Sequence, residues 1–211
     1  DGYIVYEHFE GMEGKKLLGC WAHARRKFFE AKVENERLAL EALSYIRRLY
    51  DVEAEADALD AADNKPDHER RKALRQERAY PEIKKFETWM EASILKCPPK
   101  SLMEEAISYT YKILKKLSLY VTDGRYKIDD NMVENSIRPL AIGRKNYLFC
   151  GDDDAAQRAA VVYSLLATCK AHGVNERAWL EDVLRRIPEY EQAGKDYADL
   201  LPANWRALSA K

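Results

Sequence analysis

From Glu34 to about Leu59, apolar residues Ala39, Ala42, Leu43, Ile46, Leu49 and Tyr50 recur at steps of three and four, which predicts one long amphipathic helix with a single buried stripe. Ala61 to Pro66 interrupts it, because Asn64 and Pro66 disfavour helix continuation and nothing apolar there needs burying. A second helical stretch is predicted from about Asp67 to Leu95. Pro81 inside it must start a new turn or kink it, and the later segment carries Ile83, Phe86, Trp89 and Met90 on one stripe. Two long helices joined by a short linker fold back as an antiparallel hairpin, stopped by Cys97-Pro98-Pro99-Lys100. Composition agrees: glycine and proline make up 16 of 211 residues, which disfavours a turn-dense sandwich or barrel and favours long helices.

The flanks are shorter and more varied. Tyr3-Ile4-Val5-Tyr6 is too short and β-rich for a helix and is expected as a strand, and the apolar run Leu17 to Trp21 leads into a helix over His23 to Lys32 as a β-to-α junction. Ser101 with Glu104 is a capping box opening a helix to about Leu119, Thr122-Asp123-Gly124 is a turn, and Tyr126 to Asp129 is expected to be extended. Asp154 with Gln157 is read as another capping box, opening a helix to His172 that is apolar nearly all round and therefore expected to be central, with Gly173 as its stop. Asn175 caps a last helix that Pro188 is expected to end. There is no internal repeat and no low-complexity segment.

At 46% apolar and 34% charged, with a net charge of −1, the chain can build one large or two small cores and is not disordered throughout. No run approaches the roughly 20 apolar residues of a membrane span, and no signal peptide is evident, so a cytoplasmic protein without a membrane partner is expected. Cys20, Cys97, Cys150 and Cys169 are widely spaced and read as reduced thiols. Charge is uneven: Lys32 to Asp63 holds four basic and nine acidic residues, whereas Lys65 to Lys85 holds eight basic and four acidic. Either the second segment attracts phosphate, or the two are solvated helix faces that pair with each other.

The densest cluster of acidic, basic, aromatic and turn residues is Ile128 to Gly151. Glu134 falls in the first turn of a short helix beginning at Asp130 or Asn131, with Arg138 one turn later on the same face; Asn131 and Glu134 also suit an N-cap and its partner, and Arg138 an i,i+4 pair with Glu134. Gly143-Arg144-Lys145-Asn146-Tyr147 reads either as a phosphate-touching loop or as a generic surface loop. Cys20-x-x-His23 and Cys169-x-x-His172 have a spacing zinc can use, against the simpler reading of small core thiols.

The run D-D-N-M-V-E-N-S-I-R-P-L-A-I-G-R-K-N-Y-L-F, Asp129 to Phe149, resembles the signature of the insertion-sequence-66 class of bacterial DDE transposases. Asp1-Gly2-Tyr3 with Tyr6, then Gly19 to Phe28, resemble that family's central motifs in the same order. So do Arg158-Ala159-Ala160 to Gly173-Val174 and the ending Leu200-Leu201-Pro202 with Trp205, and the resemblance covers essentially the whole chain.

The resemblance implies a mainly α chain with a few short strands: a partial ribonuclease-H-like core over 1–23 and 120–173, a helical insertion over 24–119 and a C-terminal helical extension over 174–211. It implies DNA transposition by metal-dependent strand cleavage and strand transfer, with Asp1 and Glu134 as catalytic, metal-holding carboxylates for a two-metal Mg2+ or Mn2+ site. Arg138, Arg144, Lys145 and Asn146 are then expected to contact transposon-end phosphates, with Arg25, Arg26 and Lys27 lining the same groove. DNA is the implied partner, and a homo-oligomer the implied active assembly, nucleoid-associated when bound. The first catalytic aspartate is expected on a strand preceding Asp1, so the chain reads as part of a longer transposase, inactive alone. The alternative is a catalytically silent DNA-binding or helical assembly fragment. Asp130 stands where the family usually has asparagine, adding a negative charge that either weakens DNA binding or contacts metal.

Overall fold

The computed structural model describes residues 4–10, 12–146 and 149–209, and these divide into two compact units, 1–132 and 133–211. The first unit is built from α1 (Trp21–Glu30), α2 (Glu36–Ala62), α3 (His68–Leu74), α4 (Tyr80–Ile94), α5 (Leu102–Lys112) and α6 (Leu114–Ser118). Helix α7 (Asn131–Gly143) begins at its end. The second unit contains α8 (Asp153–Ala171), α9 (Glu176–Ala193) and α10 (Pro202–Ser209).

The predicted hairpin is the frame of the first unit. Asn35 caps α2 by accepting from the Leu38 N–H at 3.1 Å, and the helix runs unbroken until Asn64, whose φ of 50° is a left-handed turn that asparagine tolerates. Asp67 then caps α3, accepting from the Arg70 N–H at 3.0 Å. Pro81 stands in the first turn of α4, after a π-turn over Arg75–Ala79, so the return stretch is divided into two segments as expected, and a proline at that position forfeits little helix bonding. The antiparallel register is set by pairs between the two helices, with Trp89 Nε1 donating to Glu41 at 3.0 Å near one end, Arg48 reaching Glu82 midway, and Arg71 and Arg70 reaching Asp60 at the other. The opposed charge runs are therefore faces that pair with each other. Arg70, Arg71, Arg75 and Arg78 all engage α2 carboxylates.

Helices α1 and α5 close over the hairpin. Trp21, Phe28, Ile46, Ile83, Phe86, Met90, Ile107 and Leu117 are buried together, with Phe86 5.3 Å from the Tyr45 ring and 5.6 Å from the Trp89 ring. Such aromatic stacking adds geometric preference to the burial of large apolar surfaces. Ser101 caps α5 as predicted, accepting from the Glu104 N–H at 3.2 Å, although the helix is interrupted at Ile113 before α6.

The second unit has its own small core of Cys169, Val174, Trp179, Val183, Tyr190 and Leu200, in which Trp179 Nε1 donates to the Leu200 carbonyl at 2.8 Å. Asn175 caps α9 as expected, accepting from the Ala178 N–H at 2.9 Å. Three expectations fail here. Asp152, not Asp154, caps α8. Helix α9 continues past Pro188 to the left-handed Gly194, because a proline near a helix end removes one bond that tertiary packing can replace. Helix α8, expected to be central, exposes Val161 and Val162 and buries Cys169 alone among its described side chains.

The fold is mainly helical, and no strand occurs among the described residues. Ile4–Phe9 is a 3-10 helix, and the segments at Leu17 to Cys20 and Tyr126 to Asp129 are irregular. A strand needs a neighbour for its ladder, and short runs without one satisfy their backbone groups in local turns. The expected start of a strand at Tyr3 lies outside the described residues. No described helix is long and apolar enough to cross a membrane.

Candidate functional site

The segment entering α7 is fastened to both α1 and α2. The Trp21 N–H donates to the Ile128 carbonyl at 3.2 Å, fixing the start of α1 against this segment, and Trp21 Nε1 donates to the Leu117 carbonyl of α6 at 3.0 Å. Asp129 accepts from Tyr50 Oη at 2.8 Å and from the Asn131 backbone and side-chain N–H groups at 3.2 and 3.0 Å. Asp129 thus holds Asn131, which is the first helical residue and not, as the sequence suggests, the N-cap. Burial, then the bond to Asp129, pushes the Tyr50 phenol well above its ordinary pKa, so it stays a donor.

Next to this anchor, Cys20 at the N-cap of α1 donates its thiol to Asp130 Oδ1 at 2.8 Å, and His23 Nδ1 lies 3.9 Å from the same oxygen. Burial and the Asp130 contact raise the thiol pKa. Burial opposes charge on Asp130, but the bond from the Cys20 thiol leads the effects that hold that carboxyl below its usual range. Cys20, His23 and Asp130 form a group able to hold a metal ion. The other pair in the proposed four-ligand zinc set does not appear in that group: Cys169 is a buried core thiol of the second unit.

An open groove of about 690 Å³ lies between α1 and α2, lined by Arg25 from one helix, Ser44, Arg47 and Tyr50 from the other, and Asn131 at the start of α7. Neither Arg25 nor Arg47 makes an ion pair among the described residues, in contrast to the arginines of the hairpin. Uncommitted guanidiniums beside apolar helix walls can take phosphate oxygens. Arg26 is exposed on α1, and Lys27 is half-buried with its Nζ 4.9 Å from the Tyr109 ring, so Lys27 faces α5 more than open solvent. The sequence marks Tyr50 only as part of the buried stripe and does not single out Arg47, although Leu40, Leu43, Ser44 and Arg47 fall on one face of α2 by helical spacing.

In the second unit Glu134 occupies the first turn of α7 and is half-exposed, with Arg138 exposed one turn later. Arg144, Lys145 and Asn146 form an exposed turn at the helix end, where the Arg144 and Lys145 N–H groups bond the Leu140 and Ile142 carbonyls at 3.0 and 3.1 Å. Asp1 lies outside the described residues, so of the pair expected to be catalytic they contain Glu134 alone.

Residues 1–158 match the protein-family model described as Transposase IS66 family, and residues 164–203 match the one described as IS66 C-terminal element. Three uncharacterized proteins of Sinorhizobium fredii are similar along nearly the whole chain. Protein y4qI is 36% identical over 98% of this chain and 38% of its own length; y4hP is 33% identical over 90% and 35%; y4jD is 32% identical over 98% and 40%. The chain therefore spans less than half the length of these relatives. No solved structure matches it.

Proposed function

Because the chain belongs to the IS66 family of transposases, we propose that it supplies the glutamate-bearing part of a machinery that cleaves and joins DNA strands at transposon ends. The observation that carries this reading is the basic groove at the entry to α7, where Arg25 and Arg47 stand beside Asn131, three residues before Glu134. In this reading Arg25 and Arg47 hold the phosphate backbone, the exposed Arg144, Lys145 and Asn146 add sequence-blind contacts, and Arg138 neutralises phosphate near the glutamate. Arg26 contributes from the exposed side of α1, and Lys27 contributes less.

Asp1 and Glu134 are the residues that would hold Mg2+ or Mn2+ in a ribonuclease-H-like core, where such ions activate the attacking hydroxyl and stabilise the leaving oxygen. Supporting it, Asp129 and Tyr50 tie down Asn131, the residue at which the helix bearing Glu134 starts. The segments 1–23 and 120–173 would belong to that core, with 24–119 inserted into it and 174–211 following. Since transposition pairs two DNA ends, the active assembly is a multimer of the longer protein, working on DNA in the bacterial cytoplasm.

A plasmid-nicking assay with manganese tests the reading. The full-length protein should nick, and its Glu134→Ala variant should lose at least a hundredfold of that activity, while the 211-residue chain alone should bind DNA without cutting it. Equal nicking by the wild-type protein and the Glu134→Ala variant would remove Glu134 from the chemistry, and absence of cutting by both would favour a silent DNA-binding role.

A further inference from the structure

The Cys20, His23 and Asp130 side chains take no part in the strand chemistry proposed above, yet their ligand atoms all lie within 4.8 Å of one another. We propose that these three residues form a transition-metal site for a zinc-like ion. Cys20 and His23 are three residues apart across the first turn of α1, a spacing that puts both on one side of the helix. Asp130 arrives from 110 residues away in sequence, held there by the bond between the Trp21 N–H and the Ile128 carbonyl.

The donor set decides the class of ion. One sulfur, one imidazole nitrogen and one carboxylate oxygen suit a tetrahedral zinc-like ion with a fourth position left for water, whereas magnesium and calcium take oxygen ligands. Burial is graded in a useful way: Cys20 is buried, while the His23 and Asp130 side chains are 22% and 39% exposed. The sulfur is thus a fixed base and the carboxylate a movable mouth. The present 2.8 Å between Sγ and Oδ1 is a hydrogen-bond distance. Zinc bond lengths place sulfur and oxygen about 3.5 Å apart in a tetrahedron, an opening that rotation of the part-exposed Asp130 carboxylate provides. As the sulfur coordinates, its proton leaves to solvent and no redox change occurs. A bound ion joins α1 to the 128–130 segment within the first unit.

Cobalt(II) titration of the 211-residue chain reads the site directly, because sulfur coordination gives a near-ultraviolet charge-transfer band. One equivalent should saturate the band, zinc should displace it, and a hundredfold excess of magnesium should not. Cys20→Ser should abolish it, whereas Cys150→Ser and Cys169→Ser should retain it. Asp130→Asn, a part-exposed change that leaves packing intact, should weaken cobalt binding at least tenfold. Absence of the band, its persistence in Cys20→Ser, displacement by magnesium, or unchanged affinity in Asp130→Asn would each overturn the site. Helical circular dichroism of every variant separates loss of the ligand from loss of the fold.

Discussion

Arg75 is wholly buried, and all five of its guanidinium hydrogens have acceptors. Nε and Nη2 donate to the two Glu53 oxygens at 2.7 Å each, Nη1 donates to the Tyr120 and Asp123 carbonyls at 2.9 and 2.8 Å, and Nη2 also reaches the Tyr126 carbonyl at 2.9 Å. A planar fork fills this arrangement where an ammonium cannot. Arg75→Ala leaves the buried Glu53 carboxylate with Arg71 alone and strands three carbonyls, and should lower stability by about 3–5 kcal/mol in urea unfolding. Arg75→Lys should recover little of it. Asp60 makes a different case, since its carboxyl is held well below the ordinary carboxylate range, first by Arg71, then by the Asp67 N–H and Arg70. A depressed folded-state pKa gives stability that is present above the unfolded value and is lost as pH falls through the folded one. Asp60→Asn should therefore lower the urea midpoint at pH 7, and the gap from wild type should shrink once the pH drops below about 4. A gap that does not depend on pH would mean that Asp60 acts through shape alone.

The turn that receives Arg75 also depends on a missing side chain. A Cβ added at Gly124 would sit 1.9 Å from the His68 carbonyl oxygen, which is backbone at the start of α3 and cannot yield. Gly124→Ala should push the 123–126 turn away from α3, disturb the Arg75 contacts to Asp123 and Tyr126, and cost about 2 kcal/mol or more in thermal unfolding. Ordinary stability in that variant would show that the turn relaxes freely. Elements of this kind separate what a sequence displays from what it conceals. The α2 stripe, the Asn64 break, and the Ser101 and Asn175 caps depend on neighbours within a few residues, so periodicity and side-chain chemistry expose them. The π-turn before Pro81 and the continuation of α9 past Pro188 depend on packing, and α8 looks central by composition while its valines face outward. At the site, Glu134 and the Arg144 turn were visible as a motif. Arg47, the Tyr50 anchor and the meeting of Asp130 with Cys20 arise from contacts 79 to 110 residues apart or from a shared groove, and no local pattern marks them.

Across the whole chain, net charge near zero hides a division of labour among the cations. The basic run from Lys65 to Lys85 would be the natural suspect for DNA, yet its arginines are committed to α2 carboxylates, and pairing of that kind leaves little charge for a phosphate. The cations proposed above for DNA lie in the α1–α2 groove of the first unit and in the turn after α7 in the second. Each phosphate contact releases counterions, so losing one lowers the slope of log affinity against log salt by about 0.9 on duplex DNA. Replacing Arg25 and Arg47 together by glutamine should flatten that slope by about 1.8, and replacing Arg144 and Lys145 should do the same. Arg78→Gln, which removes an exposed but paired charge, should leave it nearly unchanged. The fourfold variant carries the decisive information: if both units grip one duplex, its slope should fall by about 3.6, the two losses adding as independent contacts do. A fourfold variant no flatter than either double variant would confine DNA to one unit, and an Arg78→Gln effect of equal size would mean that affinity follows total charge and no particular surface.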